Sequence, residues 1–265
     1  MGSHAMTKSG RGGEPRLPAD PTSAGPLPAR KGASAPVASL TIFAGFVALA
    51  ACLVVLGSIA EGVRDQEVFA LDTVATPFLH SLASPALDAL MNGATFVGSN
   101  LVIPPLFVLA VVVLVRMHRP GAALFLAASS GGSLLLNALM KLFFQRARPQ
   151  LPWANVLPDY SFPSGHTMNS VAFYLALAVI VWSIRGRRAG LIATVLAMAL
   201  AVLIGISRIY LGYHYFTDVI GGLLAGVSWV LICIAAFRAP PLARYWRGPN
   251  GQRSADRSPP PTGSS

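Results

Sequence analysis

Six apolar segments, each close to the length of a membrane span, dominate the chain. They are Leu40–Ile59, Ala94–Val115, Ala122–Leu139, Thr167–Ile184, Ala189–Ile206 and Val219–Phe237. A helix needs about 20 apolar residues to cross a hydrocarbon core about 30 Å thick. Inside that core each peptide group must find its hydrogen-bond partner within the protein, and a helix provides one. The sequence therefore predicts an all-α polytopic membrane protein with six transmembrane helices.

The composition agrees with a membrane location. Charged residues make up 11% of the chain, whereas about 25% is usual in soluble domains. Between the first two predicted spans, residues 65–90 mix polar and apolar side chains at helical spacing. This segment is too charged to cross a bilayer, so we predict short interfacial helices that lie along the membrane surface.

The two ends of the chain carry no apolar periodicity. Residues 1–39 and 241–265 are rich in Pro, Gly and Ser, a composition that predicts disordered tails. The opening MGSHAM is typical of a tag remnant, which would put the native start at Met6. Between the tails, residues 40–240 are predicted to form the six-span domain.

The distribution of Lys and Arg predicts the orientation. The two tails, counted with Arg238, hold ten of the 20 Lys and Arg residues, and the loops at 116–119 and 185–188 hold five more. Such an excess marks the cytoplasmic side, so we expect both termini there, in a bacterial cytoplasmic (inner) membrane. The net charge of +10 then reflects orientation, and no nucleic-acid partner is expected.

Small residues at two places favour close helix packing. They are the stretches GLLAG, from Gly222 to Gly226, and SSGGS, from Ser129 to Ser133. The two cysteines, Cys52 and Cys233, lie inside apolar segments, where thiols behave as small buried hydrophobes.

On the opposite side of the membrane, charges lie at the ends of apolar segments, where they are costly and point to function. The third segment ends in KLFFQRARP. Lys141 and Arg148 are seven residues apart, about two helical turns, so a continuing helix would place both on one face. Two such cations suit a phosphoryl group. Alternatively, each cation reaches for the lipid headgroups.

The fourth segment begins with PSGH. Ser164 is a good N-cap, and Gly165 permits a close backbone approach. A helix N-terminus presents free N–H groups that favour an anion, and His166 would stand beside it in the first turn. The alternative is a capped helix with an incidental interfacial histidine.

The segment before the sixth span reads SRIYLGYHYFTD. His214 and Asp218 are four residues apart, so a helix would bring them together on one face. A carboxylate on one imidazole nitrogen fixes the tautomer and leaves the other nitrogen free to attack. Arg208 adds a third cation. The three tyrosines of the stretch are interpreted as an interfacial aromatic belt.

Together these groups suit phosphoryl transfer through a covalent phosphohistidine. No acidic cluster suits Mg²⁺, because Asp218 is committed to His214 and Asp159 stands apart from other acids. No Cys/His spacing suits Zn²⁺. We therefore expect neither a metal ion nor any other cofactor.

The three motifs, K-x6-R-P, P-S-G-H and S-R-x5-H-x3-D, resemble the signature of the type-2 phosphatidic-acid phosphatase superfamily, in its integral-membrane branch. The resemblance implies that His214 is the nucleophile, that Asp218 orients it, and that His166 protonates the leaving oxygen. It implies phosphate binding by five further residues: Lys141, Arg148, Ser164, Gly165 and Arg208. Arg146 and His80 fall outside the pattern; we interpret Arg146 as reaching for headgroups and His80 as an interfacial side chain.

The resulting hypothesis is a metal-independent phosphatase whose partner is a membrane lipid phosphate or diphosphate, with its site on the extracytoplasmic side. Candidate substrates are undecaprenyl diphosphate, phosphatidic acid and phosphatidylglycerol phosphate. A lipid phosphotransferase would use the same intermediate. A lipid transporter or binding protein would explain the cations, but not a histidine backed by an aspartate. The sequence leaves the oligomeric state open.

Overall fold

The computed structural model describes residues 35–154 and 157–239, and helix is the regular structure of these residues. The helices are α1 (Ala35–Arg64), α2 (Ala70–Ser81), α3 (Pro85–Val97), α4 (Ile103–Arg116), α5 (Pro120–Phe144), α6 (Gly165–Ser170), α7 (Ala176–Arg185), α8 (Arg187–Tyr210) and α9 (Phe216–Arg238). A π-helical turn, Val171–Leu175, joins α6 to α7. Every contact described below lies within the compact unit that begins at Phe43.

Five helical stretches among the described residues are long and apolar enough to cross a membrane. They are Phe43–Arg64, Pro120–Phe144, Gly165–Arg185, Arg187–Tyr210 and Phe216–Arg238. Large apolar side chains remain exposed on them, such as Phe46 at 68% and Leu196 at 65%. Apolar surface of this kind faces lipid tails without cost. The protein is a multi-pass membrane protein, as the sequence predicts.

The second predicted span differs from the structure. A single helix over Ala94–Val115 is wrong, because α3 ends at Val97 and the chain turns before α4 begins at Ile103. Gly98 and Ser99 interrupt the helix, and two prolines in the first turn of α4 favour a new helix start. With 14 residues, α4 is about 21 Å long. It is therefore shorter than each of the five span-length stretches, which have 21 to 25 residues.

The segment predicted as interfacial contains two short helices. Here α2 packs against α8 and α9, and α3 packs against α8. The N-cap of α3 is Ser84, whose hydroxyl accepts a hydrogen bond from the backbone N–H of Leu87 at 3.3 Å. These packing contacts carry side chains of α2 and α3 to the ends of α8 and α9.

The predicted tails lie almost entirely outside the described residues. The exception is the last part of the first tail, since α1 already begins at Ala35. The structure therefore describes residues 35–39 as helix, within the segment predicted as a tail. Pro36 is compatible with this start, because proline is tolerated in the first turn of a helix.

The apolar core lies between α5, α7 and α9. Phe125 and Leu126 have no exposed surface, and the ring of Phe125 meets that of Phe237 edge to face at 5.4 Å. Near them the indole N–H of Trp229 donates to the carbonyl of Ser129 at 3.0 Å. Buried in this way, α9 is fixed against the helices that carry the site.

Two glycines of the GLLAG stretch lie where α9 touches α6 and the π-helical turn. A Cβ added at Gly222 would stand 2.8 Å from the carbonyl oxygen of Ser164, and one at Gly226 would stand 2.9 Å from that of Met168. Both neighbours are backbone atoms, so they cannot rotate away. The prediction of close packing is confirmed for this stretch. It is also confirmed for Gly132 of the SSGGS stretch, where a Cβ would overlap the indole of Trp229, whereas Gly131 has no neighbour within 4 Å.

Replacing Gly222 or Gly226 by Ala should lower the free energy of unfolding by about 1–3 kcal/mol, because α9 must move away from the start of α6. Thermal unfolding in detergent measures the change. Gly131→Ala is the matched control: it lies in open space, and the better helix propensity of Ala should leave the stability equal or higher by up to about 1 kcal/mol. Equal destabilisation of all three variants would contradict the packing argument.

Candidate active site

The three motif segments meet at one end of the helix bundle. They are the end of α5 with the loop that follows it, the start of α6, and the connection from α8 to α9. Arg148 of the first segment contacts His214 of the third, and the backbone N–H of Ser164 in the second donates to the carbonyl of Asp218 at 2.9 Å. The structure thus brings residues far apart in sequence into one cluster.

Lys141 and Arg148 converge by a different route from the one predicted. The prediction that the helix continues to Arg148 is wrong, because α5 ends at Phe144 and Gln145 adopts a left-handed conformation with φ of 47°. Both cations nevertheless reach the carboxylate of Asp159. The two cations therefore converge on one carboxylate, although they do not share a helix face.

Asp159 is the counter-ion of both cations. Its Oδ1 accepts from Nη2 of Arg148 at 2.6 Å and from Nε at 3.1 Å, and its Oδ2 accepts from Nζ of Lys141. Partial burial alone would raise the pKa of Asp159, but these two cations hold it below its ordinary value. The side chain is still 51% exposed, so a carboxylate at the surface occupies the donors that would suit an oxyanion.

Arg148 links this pair to the histidine. Its Nη1 donates to the carbonyl of Tyr213 at 2.6 Å and lies 3.2 Å from Nε2 of His214. The side chain is 5% exposed, and Asp159 and Tyr213 engage it from two sides. The guanidinium is therefore held rigidly beside the imidazole.

His214 is almost completely buried, with 1% of its surface exposed. Its Nδ1 lies 3.4 Å from Oδ2 of Asp218 and 3.4 Å from the hydroxyl of Ser161. Burial lowers the pKa of His214 to about 4, although Asp218 acts in the opposite direction. The ring is therefore neutral near pH 7. Since a carboxylate can only accept, the proton belongs on Nδ1 and Nε2 carries the lone pair.

Asp218 has no exposed surface, and its two oxygens serve different partners. Oδ2 accepts from the hydroxyl of Ser161 and from the backbone N–H of Tyr215 at 2.9 Å, on the side that faces His214. Oδ1 accepts from Nη1 of Arg146 at 2.6 Å. His214 itself precedes α9, which begins at Phe216. The predicted contact is thus made across a helix start and not along a helix face.

Arg208 lies at the end of α8 and is 4% exposed. Its Nη1 donates to the hydroxyl of Thr95 in α3 at 2.7 Å, and its guanidinium lies over the ring of Tyr213 at 4.1 Å. The Nε is buried and has no hydrogen-bond partner among the described residues. Arg208 therefore keeps a donor to spare.

The PSGH motif forms the helix start that the sequence predicts, but its serine does not cap in the expected way. Ser164 is the N-cap residue of α6, yet its side chain makes no capping hydrogen bond and accepts from the hydroxyl of Thr167 at 3.0 Å. A Cβ at Gly165 would stand 3.0 Å from the amide oxygen of Asn137. His166 is half-buried and close enough to His214, Arg208, Lys141 and Arg148 for electrostatic interaction.

The interpretation of Arg146 as a headgroup-seeking side chain is wrong. Its side chain is 14% exposed and pairs with Asp218 and with Asp72 of α2, each at 2.6 Å. Asp72 and Ser161 carry no signal in the sequence, because their partners are distant along the chain. A surplus of cations around His214 is the one sequence feature that indicates further acids nearby, and Asp159 and Asp72 are those acids.

The interpretation of the tyrosines as an interfacial belt is wrong for Tyr210, and the other two tyrosines contact cations of the cluster. Tyr210 is 2% exposed, and its hydroxyl donates to Asp88 of α3 at 2.5 Å. The rings of Tyr213 and Tyr215 lie under the guanidinium groups of Arg208 and Arg146. His80 stacks on Trp153 with ring centroids 4.1 Å apart. The rings of Tyr213 and Tyr215 therefore support cations of the cluster.

The cluster has the chemistry of an oxyanion site. Lys141, Arg148 and Arg208 supply positive charge, and a neutral buried imidazole points its lone pair toward Arg148. Within residues 35–154 and 157–239, no group of three or more His, Cys, Asp or Glu side chains could hold a metal ion. Cations, a lone pair and a second histidine suit the transfer of a phosphoryl group.

Fold and site together define a multi-pass membrane protein that surrounds a buried histidine with cations. Residues 122–240 match the model of the PAP2 superfamily. Over this stretch the chain is similar to that superfamily.

Two curated relatives illustrate the likeness. The chain is 28% identical to phosphatidylglycerophosphatase B of Bacillus subtilis over 174 residues, which are 64% of this chain and 84% of the relative. It is 46% identical to a putative undecaprenyl-diphosphatase of Escherichia coli over 69 residues, 26% of this chain and 31% of that protein. The similarity to the Escherichia coli protein thus covers about a third of that protein's length.

A solved structure agrees with the fold. The crystal structure of a transmembrane PAP2-type phosphatidylglycerolphosphate phosphatase from Bacillus subtilis superposes with a TM-score of 0.65 at 25% identity. The match covers 72% of this chain and 96% of the other. The arrangement of helices is therefore shared over nearly all of that protein.

Replacing Asp159 by Asn should tighten the binding of a tetrahedral oxyanion such as vanadate by about two- to fivefold. The anion no longer has to displace a carboxylate, and a half-exposed ion pair contributes only about 0.2–1 kcal/mol. Isothermal titration calorimetry in detergent measures the affinity. Asp65→Asn, at an exposed acid that pairs with Arg64, is the control and should change nothing. Weaker binding to Asp159→Asn would show that the carboxylate positions the cations instead.

Proposed function

We propose that the protein is a metal-independent phosphatase of membrane lipid phosphates or diphosphates that forms a phosphohistidine on His214. The observation that carries the proposal is the line from Asp218 through His214 to Arg148. A buried carboxylate faces Nδ1, and an arginine that suits phosphate lies 3.2 Å from Nε2. This arrangement aims the lone pair of the imidazole at the place where an oxyanion would bind.

In the first step, Nε2 of His214 attacks the phosphorus, and the bond from phosphorus to the leaving oxygen breaks. In this step His166 acts in its protonated form: it gives its proton to the leaving oxygen and becomes neutral. Asp218 stabilises the positive charge that develops on the imidazole, because it accepts the proton on Nδ1 in a hydrogen bond. The alcohol or lipid monophosphate then departs, and the phosphoryl group remains on His214.

In the second step, water attacks the phosphohistidine and His166 accepts a proton from that water. The bond between Nε2 and phosphorus breaks, which releases phosphate and restores the neutral imidazole. Throughout, Lys141, Arg148 and Arg208 neutralise the phosphoryl oxygens, with Ser164 and the backbone at Gly165 as further donors. Preorganised charges of this kind are the main source of stabilisation in phosphoryl transfer.

The substrate class follows from the place of the site. The cluster lies at the end of a bundle whose outer faces are apolar, so an amphiphile can keep its tail in the bilayer while its phosphate enters. Undecaprenyl diphosphate, phosphatidic acid and phosphatidylglycerol phosphate all meet this requirement. The names of the relatives, a phosphatidylglycerophosphatase and a putative undecaprenyl-diphosphatase, support the same class.

Purified His214→Ala should lose phosphate release by about three orders of magnitude or more, because the nucleophile is gone. The assay offers each of the three lipids in detergent with EDTA present, so that metal independence is tested together with substrate class. His118→Ala is the matched control, since His118 is an exposed histidine at the end of α4, and it should retain full activity. Substantial phosphate release by His214→Ala would refute the assignment of the nucleophile.

We further propose that α4 completes a sixth crossing and that the site faces away from the cytoplasm. Contacts from Asp72 to Thr217 and from Thr95 to Arg208 hold α2 and α3 at the site end of the bundle. From there α4 leads to the basic junction before α5. Both tails and the basic loops then share one side, which the excess of Lys and Arg makes cytoplasmic.

A membrane-impermeant maleimide tests this topology in intact cells. A cysteine at Gln150, exposed on the loop after α5, should react from outside, whereas one at Arg187, exposed at the start of α8, should react only after lysis. Both are placed in a background in which Cys52 and Cys233 are replaced by Ala. The reverse pattern would overturn the orientation.

A further inference from the structure

Arg146 is the centre of a buried charge network that the superfamily motifs do not include. Its Nη1 donates to Oδ1 of Asp218 at 2.6 Å and to the hydroxyl of Thr217 at 2.8 Å. Its Nη2 donates to Oδ2 of Asp72 at 2.6 Å. The guanidinium lies over the ring of Tyr215, 4.3 Å from its centroid. Both terminal nitrogens thus serve protein acceptors, which makes Arg146 poorly suited to bind a substrate oxygen.

Asp72 ties the same network to the start of α9. Its Oδ1 accepts from the backbone N–H of Thr217 at 2.8 Å, and its Oδ2 accepts from the Thr217 hydroxyl at 2.6 Å. Thr217 lies in the first turn of α9, where backbone N–H groups have no partner within the helix. A carboxylate of α2 therefore caps α9 one residue before Asp218.

The electrostatics of the network require its cation. The carboxylates of Asp72 and Asp218 are 5% and 0% exposed, and they lie on two sides of one guanidinium. Burial disfavours the charge of Arg146, but Asp218 and Asp72 outweigh it and keep the pKa of Arg146 above its ordinary value. Without the guanidinium, two buried carboxylates would be left without their shared partner, and breaking such a group is costly.

We propose that Arg146 and Asp72 are positioning residues, which hold the carboxylate of Asp218 in the orientation that His214 requires. Arg146 fixes Oδ1, and this leaves Oδ2 directed at Nδ1 of His214 together with Ser161 and the N–H of Tyr215. Asp72 in turn fixes Arg146 and the first turn of α9. Both residues act through Asp218, and neither touches the reacting atoms. The placement of α2 against α9 is thereby part of what orients the histidine.

The kinetic test rests on the proposed function. Arg146→Ala should lower kcat for phosphate release about 10- to 100-fold and change KM less than about twofold. The reason is that the variant loses an orienting group but loses no contact to the substrate. Arg146→Lys should recover part of kcat, since it restores the charge but not the two-sided geometry. Asp72→Asn should lower kcat to a smaller extent than Arg146→Ala, as it keeps an acceptor for Thr217. Arg64→Ala, at an exposed arginine paired with Asp65, is the control and should leave both constants unchanged.

A double-mutant cycle separates positioning from a general loss of structure. In an Asp218→Asn background, Arg146→Ala should reduce kcat by less than about twofold, because residues that act through one another are not additive. Thermal unfolding of each variant in detergent accompanies the kinetics. A full 10- to 100-fold loss in the Asp218→Asn background would overturn the proposal, and so would a rise in KM with kcat unchanged.

A spectroscopic readout tests the inference without any turnover. In ¹⁵N-histidine-labelled protein, the His214 resonances should show one fixed tautomer, protonated on Nδ1, and Arg146→Ala should convert them to a mixture of tautomers. Arg146→Lys provides the same comparison if the Ala variant does not fold. Unchanged His214 resonances in both variants would refute the positioning role. If the wild-type protein released no phosphate but its tautomer depended on Arg146, the proposed function would fail and the inference would stand.

Discussion

The structure depends on the burial of one carboxylate, that of Asp218. An ionised carboxylate without exposed surface is tolerable only when several donors surround it. Here the donors come from three separate places: Ser161 in the loop before α6, the N–H of Tyr215 before α9, and Arg146 after α5. Satisfying Asp218 therefore fixes the ends of the helices relative to one another. The imidazole of His214 lies against the same carboxylate, so a requirement of stability also determines the geometry of the site.

Opposite charges are distributed around His214 in two groups that differ in exposure. On one side, Arg146 pairs with two buried acids. On the other side, Lys141 and Arg148 pair with Asp159, whose carboxylate is half-exposed and lies in a loop. Buried pairs are hard to separate, whereas exposed ones exchange readily with solvent and ions. The first group therefore belongs to the permanent framework, and the second can open to an anion.

The sequence predicts much of this arrangement because its strongest signals are local. Apolar length places five of the helices, and the motifs identify the residues that meet around His214. The second span is misplaced because a turn at Gly98 and Ser99 interrupts an apolar run that composition alone treats as continuous. Arg146 is misread because reaching for headgroups explains any cation near a span end. Asp72 is 74 residues from Arg146 and 145 from Thr217, and only the packing of α2 against α9 brings them together.

The half-exposed carboxylate of Asp159 also has a kinetic meaning. A group tethered beside a binding site competes as if present at a high local concentration, of the order of millimolar for a short flexible connection. Asp159 would thus compete with an incoming oxyanion for Lys141 and Arg148. It would pair with these two cations again when the oxyanion leaves. A small free anion gains little from this exchange, because it trades one ion pair for another. Under the proposed function, an amphiphile held by its tail would itself be tethered, so anchoring in the bilayer, more than charge, would decide which phosphates stay at His214.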